Sequence, residues 1–131
     1  MGAAQFTGTR LRPGLPRGGY TRRPAGGKNF LELLEQHYKE QAAVEFYAAQ
    51  LHVTPQYLNI ACKKETGLTA GHCIRSRIVL EAKRMLTLTA QDVKEIAYEL
   101  GFSDASYFSR FFRRYGGMPP LTFRRQAQKV P

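Results

Sequence analysis

Tryptophan is absent from this chain of 131 residues, and cysteine occurs only twice, as Cys62 and Cys73. Two cysteines without the composition of a disulfide scaffold point to a reducing, cytoplasmic setting. No run approaches the roughly 18 apolar residues that cross a bilayer, and the N-terminus has no apolar stretch of the secretory kind. A membrane partner is therefore not expected. Neither a phosphate-cradling glycine loop nor a paired-carboxylate or Ser/His/Asp arrangement occurs, so the chain is not expected to be an enzyme. His72 and Cys73 are adjacent and Cys62 stands eleven residues before Cys73, which fits no usual zinc spacing. Neither a metal nor a cofactor is expected.

Acid is scarce at both ends. Residues 1–27 hold five arginines (Arg10, Arg12, Arg17, Arg22 and Arg23) and no acid, whereas residues 28–100 hold nine basic and nine acidic side chains. After residue 100, six cations face Asp104 alone. The whole chain carries a formal charge of +10, a balance that favours a polyanionic partner, nucleic acid ahead of an anionic membrane surface. Seven of the twelve glycines and three of the seven prolines also fall in residues 1–27, without helical or strand period. That stretch reads as a flexible basic tail or linker, and residues 28–131 as one domain.

The domain reads as all-α. Asn29 is placed to cap a helix starting at Phe30, with Leu33, Leu34 and Tyr38 on its apolar stripe. A second helix fits Ala43 to Leu51. A third fits between Thr54-Pro55 and Gly67, a cap followed by proline at one end and a glycine stop at the other. The long stretch Thr69 to Leu86 follows, then Gln91 to Leu100. A sixth helix is capped by Ser103 or Asp104 and ends near Tyr115. A seventh opens at Pro119-Pro120 and runs to about Gln126. The expected core comprises Phe30, Leu34, Ala48, Leu51, Leu58, Ile78, Leu86, Ile96, Ala97, Leu100, Phe102, Phe108 and Phe112.

Two helix pairs repeat. Ala48, Leu51, Val53 and Thr54 recur 49 residues later as Ala97, Leu100, Phe102 and Ser103. Tyr57, Leu58, Asn59, Cys62, Lys63 and Lys64 recur 50 residues later as Tyr107, Phe108, Ser109, Phe112, Arg113 and Arg114. A small alanine in the first helix lets the second cross closely, and the following apolar residues plug the angle. This is the logic of a helix-turn-helix, here present twice.

The stretch from Ile96 to Tyr115, with Gly117-Met-Pro-Pro and Phe123-Arg124, closely resembles the signature of AraC/XylS-family transcription regulators. Tyr47-Ala, Thr54-Pro-Gln-Tyr-Leu, Lys63-Lys-Glu-Thr-Gly67 and Arg77…Leu80-Glu-Ala-Lys-Arg-Met-Leu86 are similar to that family's first half. The resemblance covers roughly residues 29–126. It implies seven helices, two helix-turn-helix units joined by a long linker helix, and a chain that binds double-stranded DNA at an operator or promoter. It further implies RNA polymerase as a partner and a sensor or dimerisation domain outside this chain. An 18-residue linker helix is about 27 Å long, which with its turns suits recognition helices about one DNA turn apart. The first unit departs from the family pattern: Ile60 stands where arginine is usual, Cys62 where phenylalanine is, and His52 where the turn usually has glycine. His52 is thus expected in a less comfortable backbone conformation, and Cys62 as a smaller core plug.

Gln56, Asn59, Ile60 and Lys63 share one face of the third helix. The resemblance turns that face toward the groove, with Gln56 and Asn59 suited to adenine edges and Ile60 to a thymine methyl. On the sixth helix the equivalent face is Ser106, Ser109, Arg110 and Arg113, of which Arg110 suits guanine or a phosphate. Base contacts are therefore expected from Gln56, Asn59, Ile60, Ser106, Ser109 and Arg110. Phosphate contacts are expected from Lys63, Lys64, Arg113, Arg114, Arg124 and Arg125. For each residue the plain alternative is a solvated polar face. For the chain the alternative is a protein-interaction module that uses the basic C-terminal face, with weak or nonspecific DNA binding. A structured-RNA binder is disfavoured because no aromatic stacking platform is visible.

Overall fold

Thr54, Thr69, Asp92 and Asp104 each accept a hydrogen bond from a backbone N–H of a first helical turn, and these four caps set the segmentation of the chain. The computed structural model describes residues 26–129, seven helices and the turns between them. They are α1 (Gly26–His37), α2 (Val44–Gln50), α3 (Pro55–Thr66), α4 (Ala70–Leu88), α5 (Val93–Glu99), α6 (Ala105–Gly116) and α7 (Pro120–Gln128). The basic tail expected over residues 1–27 lies outside the described residues except for Gly26 and Gly27, which are helical. Asn29 is inside α1 and caps nothing, because the helix is already under way when the chain reaches it. Asp104, not Ser103, caps α6. The linker helix α4 has 19 residues, about 28 Å at 1.5 Å per residue.

The core gathers on α4. Cys73, Ile74, Ile78, Ala82, Met85 and Leu86 are buried along it. Phe30, Leu34 and Tyr47 from α1 and α2, Leu58 and Cys62 from α3, and Ile96, Phe108 and Phe112 from α5 and α6 complete the cluster. Leu51, Val53 and Phe102, the turn residues expected to plug the helix angles, are half-buried and pack on its margin. Phe102 meets Phe108 at 5.1 Å between ring centroids. Phe123 packs α7 onto the second unit through Phe112, at 5.8 Å.

Glu81 is a buried acid in this apolar row. Its carboxylate receives two hydrogen bonds from Arg84, at 3.0 and 2.7 Å, and lies 3.9 Å from Arg77. Arg77 also binds Glu35 on α1 and stacks over Tyr38, with its guanidinium carbon 4.2 Å from the ring centroid. This group ties α1 to the linker helix. The hydrogen bonds from Arg84, with the nearby cations, hold the Glu81 carboxyl below the ordinary glutamate range.

The two turns are built from the same bonds. Val53 N–H donates to the Ala48 carbonyl at 3.0 Å, and Phe102 N–H donates to the Ala97 carbonyl at 2.9 Å. At the left-handed position of each turn stand His52, φ 59°, and Gly101, φ 88°. A Cβ at Gly101 would collide with the Lys39 carbonyl, so only glycine fits there. His52 is exposed and meets no such wall, and its side chain is accommodated at the cost of an unfavourable backbone conformation.

Two outcomes follow. His52→Gly removes a left-handed penalty of about 1–2 kcal/mol and adds part of it back as freedom of the unfolded chain. Chemical denaturation should therefore show a net gain of about 0.5–1 kcal/mol. A lowered folded pKa at Glu81 contributes stability above its unfolded value of about 4.3, which is lost as pH falls through the folded value. Glu81→Gln should lower stability at neutral pH and flatten the decline of stability between about pH 5 and pH 2.

Candidate nucleic-acid interface

Leu58 and Cys62 on α3, like Phe108 and Phe112 on α6, are four residues apart and fully buried. At 100° per residue, that inner line leaves Gln56, Ile60, Lys63 and Lys64 on the opposite side of α3. On α6 the same arithmetic leaves Ser106, Arg110, Arg113 and Arg114. All eight are exposed, and Ile60 keeps 64% of its surface open to solvent. An aliphatic side chain so placed on a helix with a buried opposite face is available for apolar contact. Among the described residues, none of the six cations Lys63, Lys64, Arg110, Arg113, Arg114 and Arg125 is in an ion pair. The acids that do form pairs are Glu35, Glu81 and Glu99, on α1, α4 and α5.

Caps hold the two faces in equivalent positions. Thr54 Oγ1 accepts from Tyr57 N–H at 3.0 Å, and Asp104 Oδ1 accepts from Tyr107 N–H at 2.7 Å. At the other end Gly67 and Gly117, both at positive φ, donate to the carbonyls of Lys63 and Arg113. Each helix thus places its basic pair, Lys63-Lys64 or Arg113-Arg114, in its last turn.

Three expected contact residues sit differently. Asn59 is half-buried on the flank of α3, and its Oδ1 accepts from Gly71 N–H at 3.3 Å. The amide satisfies a free N–H at the start of α4, which ties the two helices together. Ser109, its counterpart, is half-buried on the flank of α6. Arg124 donates from Nε to the Leu86 carbonyl at 3.0 Å and from Nη2 to the Thr89 carbonyl at 3.2 Å. It closes the C-terminal end of α4, where carbonyls lack helical partners. Only a structure could show this, because charge alone gives Arg124 and Arg125 the same reading. Arg125 is exposed.

Sequence reasoning missed Arg75. It projects from α4 to within 4.8 Å of the Tyr115 ring centroid, and Arg114 reaches the same ring at 5.3 Å. The linker helix therefore adds a cation beside the basic end of α6. Tyr57 and Tyr107, the first-turn aromatics of α3 and α6, are also exposed, at 42% and 53%. Their repetition at a 50-residue interval was the available signal.

A family model described as a helix-turn-helix domain matches residues 47–126, from α2 into α7. The chain belongs to this family, as an AraC/XylS-type DNA-binding domain. The HTH-type transcriptional activator RhaS of Salmonella arizonae is 32% identical over 98 residues, which are 75% of this chain and 35% of that protein. The HTH-type transcriptional regulator YisR of Bacillus subtilis is 29% identical over 70% of this chain and 32% of its own length. The chain spans about a third of the length of these relatives. Among solved structures, the C-terminal domain of the response regulator AraT from Geobacillus stearothermophilus is 26% identical, with a TM-score of 0.71. The match covers 77% of this chain and 84% of that one. The DNA-binding domain of AdpA, 24% identical with a TM-score of 0.70 over 79% of this chain and 94% of its own, shares the fold. For an AraC/XylS-type domain, the departures at Ile60, Cys62 and His52 all fall in the first unit.

Removing Arg124 tests its reassignment. Arg124→Ala should cost about 1–2 kcal/mol in denaturation, because two carbonyls lose a charged donor. The salt dependence of DNA affinity should keep its slope, since no phosphate contact is lost.

Proposed function

We propose that this AraC/XylS-type domain binds double-stranded DNA with sequence preference, placing α3 and α6 in successive major grooves. The reading rests on one observation above all: two capped helices of the same build, each burying one line and exposing an acid-poor face beside a basic pair. The AdpA domain was crystallised with a target DNA, which supports this use of the fold. A two-unit chain reads an asymmetric site, with no need of a palindrome.

Within that scheme Gln56, Ile60, Ser106 and Arg110 face base edges, and Lys63, Lys64, Arg113, Arg114 and Arg125 face phosphates. Gln56 suits adenine, Arg110 suits guanine, and Ile60 suits a thymine methyl. Asn59 and Ser109 act from the flanks, Asn59 chiefly by holding α3 against α4. In the full-length protein the domain acts in transcription regulation in the cytoplasm, beside a sensor or dimerisation domain and in contact with RNA polymerase.

Selection of bound sites from random duplexes, followed by gel shifts over a salt series, tests the reading. Binding should fall steeply with salt, and RNA should compete poorly. On a selected site Arg110→Ala should cost about 1–3 kcal/mol and exceed the loss from Ile60→Ala. Gln56→Ala should relax one or two positions of the selected motif, whereas Arg114→Ala should weaken all sequences alike and lower the salt slope by about one. A chain that binds duplex DNA without salt dependence, or not at all, would refute the proposal.

A further inference from the structure

Cys62 on α3 and Cys73 on α4 bring their sulfur atoms to 3.6 Å, in the core, at 0% and 9% exposure. Thr66 Oγ1 lies 3.7 Å from one and 3.9 Å from the other. The repeat makes this pairing informative. Fifty residues later the same two positions are Phe112 and Phe123, whose rings meet at 5.8 Å between α6 and α7. Each unit thus has one contact joining its second helix to the helix that follows. In the second unit two aromatic rings make it; in the first, two thiols do. Both residues of one contact are cysteine, and they touch each other.

We propose that Cys62 and Cys73 form a reversible intramolecular disulfide that ties the first recognition helix to the linker helix. A disulfide needs about 2.05 Å between sulfurs, so from 3.6 Å the pair has to close by about 1.5 Å. The segment between them turns at Gly67, at positive φ, beside exposed Leu68 and Thr69, so the loop that the bond would close is already folded back on itself. Among the described residues no cluster of three metal-ligating side chains is present, so the two sulfurs have each other and no third ligand.

The oxidant is a small-molecule disulfide. The Cys73 thiolate, on the more exposed side, attacks one sulfur of that molecule, forms a mixed disulfide and releases the other half as a thiolate. The Cys62 thiolate then attacks the Cys73 sulfur and expels the second half. Two protein thiols give up two electrons, and the small disulfide becomes two thiols that take up the two protons. Burial holds the Cys62 thiol up at about 11, which makes the second step slow near neutral pH and faster as pH rises.

The full chain incubated with oxidised glutathione, quenched with an alkylating reagent and digested without reductant decides the matter. The expected product is a monomer lighter by two hydrogens, with no alkylated thiol and a peptide linking Cys62 to Cys73. Dithiothreitol restores both thiols. The closing rate rises between about pH 7 and pH 9, as expected of a thiolate nucleophile. Cys62→Ala should accumulate glutathione on Cys73, which traps the intermediate. Wild-type chain that stays fully alkylated in the folded state, keeps a stable glutathione adduct or crosslinks between chains would overturn the proposal. The wild-type measurement needs no variant to fold.

Discussion

Burial along α4 is the constraint on which the two halves depend. Ile74, Ile78, Ala82, Met85 and Leu86 lie in the core, and α3 and α6 bury their inner lines in it, Leu58 with Cys62 and Phe108 with Phe112. Because those lines are pinned, the opposite faces have no freedom to turn. The packing of α3 and α6 therefore sets which positions face outward, without bonds from those side chains. The polar contacts reinforce the same helix: Arg77 and Glu35 tie α1 to it, Asn59 satisfies Gly71 at its start, and Arg124 closes its end. A linker of about 28 Å, held at both ends, fixes how far apart the two units stand.

The two units share a plan and differ in quality. The second has glycine where the turn needs a left-handed residue, and a chain of aromatic contacts running Phe102, Phe108, Phe112 and Phe123. The first has His52 at φ 59° and two thiols where rings would pack. Charge follows the same division, because an exposed isoleucine occupies the place that Arg110 holds in the second unit. The first unit carries the non-glycine residue at positive φ, and it is also the one whose core contact has redox chemistry available to it.

Much of the fold was legible. Each cap and stop is a local event, so the Thr54 cap and the Gly67 stop could be read from their neighbours, whereas Thr69, read as the first residue of the long helix, is its cap. The 50-residue repeat carried the pairing of the units, because equal packing needs equal spacing. His52 was legible through the resemblance to AraC/XylS regulators, in which that place in the turn usually has glycine, and it does stand at positive φ. The start of α1 was not, because two glycines before Asn29 look like a break when read alone. Leu51 and Phe102 read as core and prove to be marginal, since periodicity gives a direction but not a depth.

Sequence by itself determined the helices, their order, the duplication and the list of exposed cations, all set by spacing and local chemistry. Tertiary structure alone decided which polar residues were already committed. Asn59 and Arg124 look like contact residues until a backbone group 12 or 35–38 residues away is found within bonding distance. Arg75 looks idle until α6 brings Tyr115 beside it. Cys62 and Cys73 fit no ligand spacing on the chain, yet the turn at Gly67 folds α4 back on α3 and sets their sulfurs in contact. Separation along the chain carries no information on such meetings, because they are set by the crossing of packed helices and not by local conformation.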